Sequence, residues 1–167
     1  MSEKTIKLIL WDGAEREFPE GITLQEIFAR EGYTVPEDIV AAKVNGQIID
    51  FMTPLRSSQA RIELVSYHTP EGKTVYRHST AHVMAQAVRR LFPGVKISIG
   101  PAIEDGFYYD FDYEGTFTPD DFDRIEAEMQ KIVEADYPFV REEVPKEEAR
   151  RFFQQQEEPY KIELIDA

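Results

Sequence analysis

From Thr5 to Leu10 apolar and polar residues alternate, Asp12-Gly13 interrupts, and Glu15 to Phe18 resumes, a pattern that predicts a β-hairpin. Thr23-Leu-Gln-Glu26 has the form of a capping box, in which a hydroxyl and a carboxylate each satisfy a free backbone N–H. Leu24, Ile27 and Phe28 follow at helical spacing, so a short helix is expected to run to about Glu31, with Gly32 ending it. A second strand pair, Val40 to Val44 and Gln47 to Asp50, turns at Asn45-Gly46, and Arg61 to Val65 adds a last strand. Residues 66–73 lose periodicity and contain Pro70 and Gly72, which predicts a linker. Over 75–92, Ala81, Met84, Ala85, Val88, Leu91 and Phe92 form one stripe at intervals of three and four, closed by Pro93-Gly94. Val95 to Ile99 and Phe107 to Tyr113 read as neighbouring strands. Thr118-Pro119-Asp120-Asp121 starts a helix with Phe122, Ile125, Met129, Ile132 and Val133 on one face. A strand over Phe139 to Val144, a helix from Pro145 to about Gln155 and a strand over Tyr160 to Ile165 complete the expectation.

The fold class implied is α+β. The order β-β-α-β-β-β over 1–65 suggests a ubiquitin-like β-grasp domain, followed by the 66–73 linker and a second domain over 74–167 of α/β type with a mainly antiparallel sheet. Because the last expected strand has no closing helix after it, the second domain reads as truncated.

Composition narrows the function classes. Lys plus Arg number 19 against 32 Asp plus Glu, a net charge of -13, and both domains share the acidity, which argues against a general DNA or RNA binder. No apolar run is long enough to span a membrane, and the N-terminus lacks a basic-then-apolar leader, so a cytoplasmic location is expected. With no cysteine, thiolate metal sites and cysteine nucleophiles are excluded within these residues. No Gly-x-Gly-x-x-Gly, Walker loop or Gly-x-Ser-x-Gly elbow occurs.

His78-Ser-Thr-Ala-His82 is the sharpest chemical feature, since residues four apart share a helix face and two imidazoles there can hold a water or a phosphate. The pair falls at the edge of the apolar stripe, near Ala85 and Arg89. Two readings stand: boundary histidines that only hydrogen-bond, or one wall of a cleft. No third metal ligand accompanies them, so no metal is assigned. Gly106-Phe-Tyr-Tyr-Asp-Phe-Asp112 is either a covered core strand or the border of a groove on whose tyrosines a base or ribose could rest. The surrounding acids, Glu104 to Glu128, read mainly as a solvated helix face. Lys161 stands alone among apolar neighbours on the expected last strand.

Ile6 to Leu8, Asp12-Gly13, Phe18, Gly21-Ile-Thr23, Glu26-Ile27 and Ala41-Ala-Lys-Val-Asn-Gly46 resemble a TGS domain, the β-grasp module of threonyl-tRNA synthetases, some GTPases and stringent-response enzymes. His78-Ser-Thr-Ala-His82, Ile99-Gly-Pro101, Gly106-Phe-Tyr-Tyr-Asp110 and Tyr160-Lys161 then resemble the start of the threonyl-tRNA synthetase editing domain. The two motif sets in this order cover almost the whole chain and point to that one family.

The resemblance implies a class II enzyme that joins threonine to tRNA(Thr) with ATP and removes serine attached by mistake. It assigns His78 and His82 to the positioning of water or terminal ribose, Lys161 to water or substrate, and Tyr109 with Tyr108 to the substrate end. It further implies that ATP with magnesium, a zinc ion and the homodimer interface belong to a catalytic core outside these residues, and that the 3′ end of tRNA(Thr) is the partner. The family's editing domain also brings a Cys-x-x-x-His segment to the cleft, and none occurs here. The 167 residues alone are therefore expected to be inactive. The alternative is a non-catalytic tRNA- or protein-binding adaptor with a TGS domain.

Overall fold

The computed structural model describes residues 4–167; the first three residues of the expected 1–65 domain lie outside this range. The chain divides into two compact units, one reaching to Tyr76 and including Phe139–Arg141, the other comprising Arg77–Pro138 with Glu142–Ala167.

In the first unit, β1 (Thr5–Ile9) and β2 (Glu15–Pro19) form the expected antiparallel hairpin, with Ile6 opposite Phe18. Gly13 turns it at φ 84°, and the Asp12 carboxylate accepts the Ala14 N–H at 2.9 Å. Helix α1 (Leu24–Glu31) begins at the expected capping box: Thr23 Oγ1 accepts the Glu26 N–H at 3.3 Å, and Glu26 Oε2 accepts the Thr23 N–H at 2.8 Å. Gly32 ends it in the left-handed conformation, which costs glycine nothing. Replacing Thr23 with Ala is expected to cost about 1 kcal/mol in urea unfolding; a Thr23→Ser variant at the same midpoint as Thr23→Ala would exclude the cap as the cause.

Strands β3 (Ile39–Val44) and β4 (Gln47–Ile49) turn at Asn45 and Gly46, at φ 51° and 83°, the left-handed pair that suits a two-residue hairpin. With β5 (Ala60–Ser66) the sheet order is β2-β1-β5-β3-β4, β5 running parallel to β1 and antiparallel to β3. One helix crossing this mixed sheet is the ubiquitin-like β-grasp. Leu24, Ile27 and Phe28 of α1 pack on Ile6, Leu8, Phe18, Ala42 and Ile62. Trp11 closes one end, its ring 5.0 Å from Phe28 and 4.6 Å from Tyr33.

Residues 66–73 are not an irregular linker. Ser66 ends β5, a turn follows, and α2 (Pro70–Leu91) opens at Pro70 rather than 75. Thr69-Pro70 supplies the start: Thr69 Oγ1 accepts the Gly72 N–H at 3.1 Å, and proline occupies the first helical position, where its missing N–H has no cost.

In the second unit Ala81, Ala85, Val88 and Phe92 of the expected stripe are buried, with Met84 and Leu91 partly so. The two expected strands are met only in part: the first is β6 (Lys96–Ile97), and the second is broken, only its β9 (Phe111–Asp112) pairing antiparallel with β6 while residues 108–110 lie in no strand. Their connection folds into a small hairpin of β7 (Ala102–Ile103) and β8 (Gly106–Phe107). Phe111, Tyr113 and Phe117 pack on Val88, Phe92 and Val95. Helix α3 (Pro119–Glu134) starts where expected, the buried Asp121 carboxylate accepting the Thr118 N–H at 2.9 Å. Its buried face is narrower than the spacing suggests: Ile132 is buried, Ile125 and Met129 partly, but Phe122 and Val133 are exposed.

Two expected strands are absent. Phe139 to Val144 forms no strand, and Phe139 and Val140 are 80% and 76% exposed; β-forming side chains do not make a strand without a neighbour to pair with. After α4 (Lys146–Gln155), residues Tyr160 to Ile165 lie in helix α5 (Pro159–Asp166). The run Tyr-Lys-Ile-Glu-Leu-Ile fits both periods, and Pro159 at the helix start decides for the helix. Among the described residues, no helix is long and apolar enough to cross a membrane.

Candidate functional site

Helical spacing puts His78 and His82 on one side of α2, and their Nε2 atoms lie 3.1 Å apart with the rings perpendicular. A hydrogen bond between two such atoms needs one to carry a proton and the other to offer a lone pair. The His82 ring stands 6.1 Å from that of Tyr109, centroid to centroid. Tyr109 follows β8, is partly buried, and stacks on Phe111 at 5.3 Å. Behind it lies Gly100, where a Cβ would overlap the tyrosine ring.

Lys161 arrives from α5, not from a strand. Its Nζ donates to the Ser98 carbonyl at 2.8 Å and sits 5.9 Å from the Tyr109 ring centroid. The structure thus gathers His78 and His82, Tyr109, and Lys161 from the start, the middle and the end of the unit. Tyr108, at 47% exposure, is not among the rings of this cluster.

Several participants are given no role by the sequence. Arg77 Nη1 donates to the Ile103 carbonyl at 3.2 Å and also to that of Glu104, tying the β7–β8 hairpin to α2. Tyr160 donates to Asp112 at 3.0 Å, which joins α5 to β9. Glu158, before Pro159, is 4% exposed and pairs with Arg89 at 3.0 Å. Only the Glu-Pro junction marks its place, and an acid before a proline is too common to single out.

Counted over the whole residue His82 is exposed, yet its ring is crowded. Burial lowers its pKa first, and the nearby charges of His78 and Lys161 lower it further, so the ring is neutral at pH 7. Burial also lowers Lys161, against an opposing pull from Glu158, and raises the Tyr109 phenol. Because folded His82 holds its proton less tightly than an unfolded histidine, of ordinary pKa about 6.5, the unfolded chain takes up that proton first. The stability contributed by the neutral ring is therefore present above that pH and lost as pH falls from there through the lower folded pKa of His82. An NMR titration is expected to place the His82 midpoint below the model-peptide value, and Lys161→Met to move it upward. An unmoved midpoint would remove Lys161 from the cluster's electrostatics.

Among the described residues no group of three or more His, Asp or Glu side chains could hold a metal ion. What the arrangement offers is a neutral imidazole to accept a proton, an ammonium to attract a developing negative charge, and an aromatic face.

No family model matches the chain. Among curated proteins it is 52% identical over 160 residues to the threonine–tRNA ligase of Desulforamulus reducens, covering 96% of this chain and 25% of that protein. It is 47% identical over 161 residues to the threonine–tRNA ligase of Symbiobacterium thermophilum and 48% identical over 161 to that of Syntrophomonas wolfei, again covering 96% of this chain and 25% of each relative. The chain spans about a quarter of the length of the curated relatives it matches. It belongs to the threonine–tRNA ligase family, as a counterpart of that family's N-terminal region.

Proposed function

We propose that the unit holding His78, His82, Tyr109 and Lys161 is part of a hydrolytic site that removes serine from mischarged tRNA(Thr), in a protein that joins threonine to that tRNA with ATP. The observation that carries this reading is the meeting of the Nε2 pair, 3.1 Å apart, with Lys161 and the face of Tyr109. The need for it is physical: a binding pocket resolves one methyl by only ~1–3 kcal/mol, too little to keep serine off threonine's tRNA.

Hydrolysis then proceeds with water attacking the ester carbonyl carbon of the seryl group. His82, with His78 as its hydrogen-bonded neighbour, accepts the water proton. The ammonium of Lys161 attracts the negative charge that grows on the carbonyl oxygen. The bond to the terminal ribose breaks, the ribose oxygen takes the proton from the imidazolium, and serine leaves with a free 3′ end behind it. The exposed part of Tyr109 gives the terminal nucleoside a flat surface. The tRNA body, ATP with magnesium, zinc and the homodimer contact belong in this reading to other parts of the ligase, in keeping with a net charge of -13 here.

Lys161→Met in the full-length ligase is expected to slow Ser-tRNA(Thr) hydrolysis roughly 100-fold while Thr-tRNA(Thr) synthesis continues. Hydrolysis at the parent rate would overturn the reading.

A further inference from the structure

Glu158 is a buried acid for which the hydrolytic scheme has no use. Its oxygens are divided between two partners: Oε1 pairs with Arg89 of α2 at 3.0 Å, and Oε2 accepts the Ile97 N–H of β6 at 3.3 Å. Arg89 also reaches Gln156 Oε1 at 3.4 Å. The carbonyl of Ser98, the residue that follows β6, is the one that Lys161 holds at 2.8 Å. An acid just before α5 and a base in its first turn therefore grip two neighbouring residues, Ile97 by its N–H and Ser98 by its carbonyl. A charge removed from water persists only with fixed partners, and here every partner is fixed by secondary structure.

We propose that Glu158 is a positioning residue for Lys161: by holding the Ile97 amide it fixes the Ser98 carbonyl and so sets where the ammonium stands beside Tyr109 and His82. This inference rests on the hydrolytic reading above and adds to it the part that aims the cation. The titratable and charged groups around Lys161 are His82 from α2, Tyr109 from the β8–β9 segment, and Glu158 with Arg89 behind it. Of these Glu158 is the one carboxylic acid, and it opposes the loss of the Lys161 proton that burial favours.

The test uses the full-length ligase with Glu158→Gln and, separately, Arg89→Met. Gln fills the same space and can accept from Ile97, but brings no charge. Glu158→Gln is expected to lower kcat for Ser-tRNA(Thr) hydrolysis roughly 10- to 100-fold, the scale of a small misplacement of a reacting group, with KM little changed. It should also move the alkaline limb of the pH–rate profile to lower pH, since Lys161 loses its counter-charge. Arg89→Met leaves the Glu158 charge undivided and should move that limb to higher pH. Opposite shifts cannot arise from general loosening of the fold. An unchanged rate and profile in Glu158→Gln, or shifts of the same sign in both variants, would overturn the positioning role. If Glu158→Gln does not accumulate folded, Arg89→Met decides alone, an unmoved limb refuting the proposal. Should Lys161→Met retain hydrolysis, it is the parent reading that fails, and this one with it.

Discussion

Replacing His78 and His82 together with alanine in the full-length ligase is expected to reduce Ser-tRNA(Thr) hydrolysis by about 10²- to 10⁴-fold, the range ascribed to a positioned acid–base group, while threonine activation continues. Two features make the double change the stronger experiment. The Nε2 atoms are 3.1 Å apart, so either ring can in part take over the proton contact of the other. Removing both also takes from Tyr109 the imidazole whose ring stands 6.1 Å away. A single-turnover assay with preformed Ser-tRNA(Thr) measures the step directly. Proofreading that survived the pair of substitutions would assign hydrolysis to some other group.

Leu8→Ala is expected to destabilise the first unit by about 2–5 kcal/mol, most of the stability a small domain possesses. Leu8 is fully buried on β1, with β2 on one side and β5 on the other, and lies in one cluster with Ile6, Phe18, Ile27 and Ile62. Urea unfolding followed by the fluorescence of Trp11, the sole tryptophan, reads this unit, because its ring lies against Phe28 and Tyr33. At an ordinary urea slope the midpoint should fall by about 1–3 M. Ile48→Ala, on the outermost strand and partly exposed, should change stability by less than about 0.5 kcal/mol. Equal effects from the two changes would mean that burial on β1 is not what holds the sheet.

The β-grasp was legible because its signals are local. Asp12-Gly13, Asn45-Gly46, the Thr23–Glu26 box and Gly32 each specify a backbone conformation that no neighbour needs to confirm. The His78–His82 spacing was legible for the same reason. What the sequence concealed depends on partners. Phe139–Val144 has the side chains of a strand but no strand beside it, and Tyr160–Ile165 satisfies two periods at once until Pro159 selects one. Thr69-Pro70 was a start signal hidden in a stretch that Pro and Gly made look like a linker. Of the site, a role for Lys161 came from family resemblance, Tyr109 stood in a segment with two open readings, and their approach to His82 is a matter of tertiary structure alone. The Arg89–Glu158 pair joins residues far apart in the chain, and no window of sequence could reveal it.

Gly100 decides where the Tyr109 ring can lie. Since a Cβ at that position would sit inside the Tyr109 ring, the aromatic surface rests where it does only because one residue in the row has nothing to project. Even alanine there would force the ring to move, and on the hydrolytic reading proposed above the added carbon matches in size the methyl that separates serine from threonine. On that reading, discrimination between the two amino acids depends on Gly100 through the ring it leaves room for.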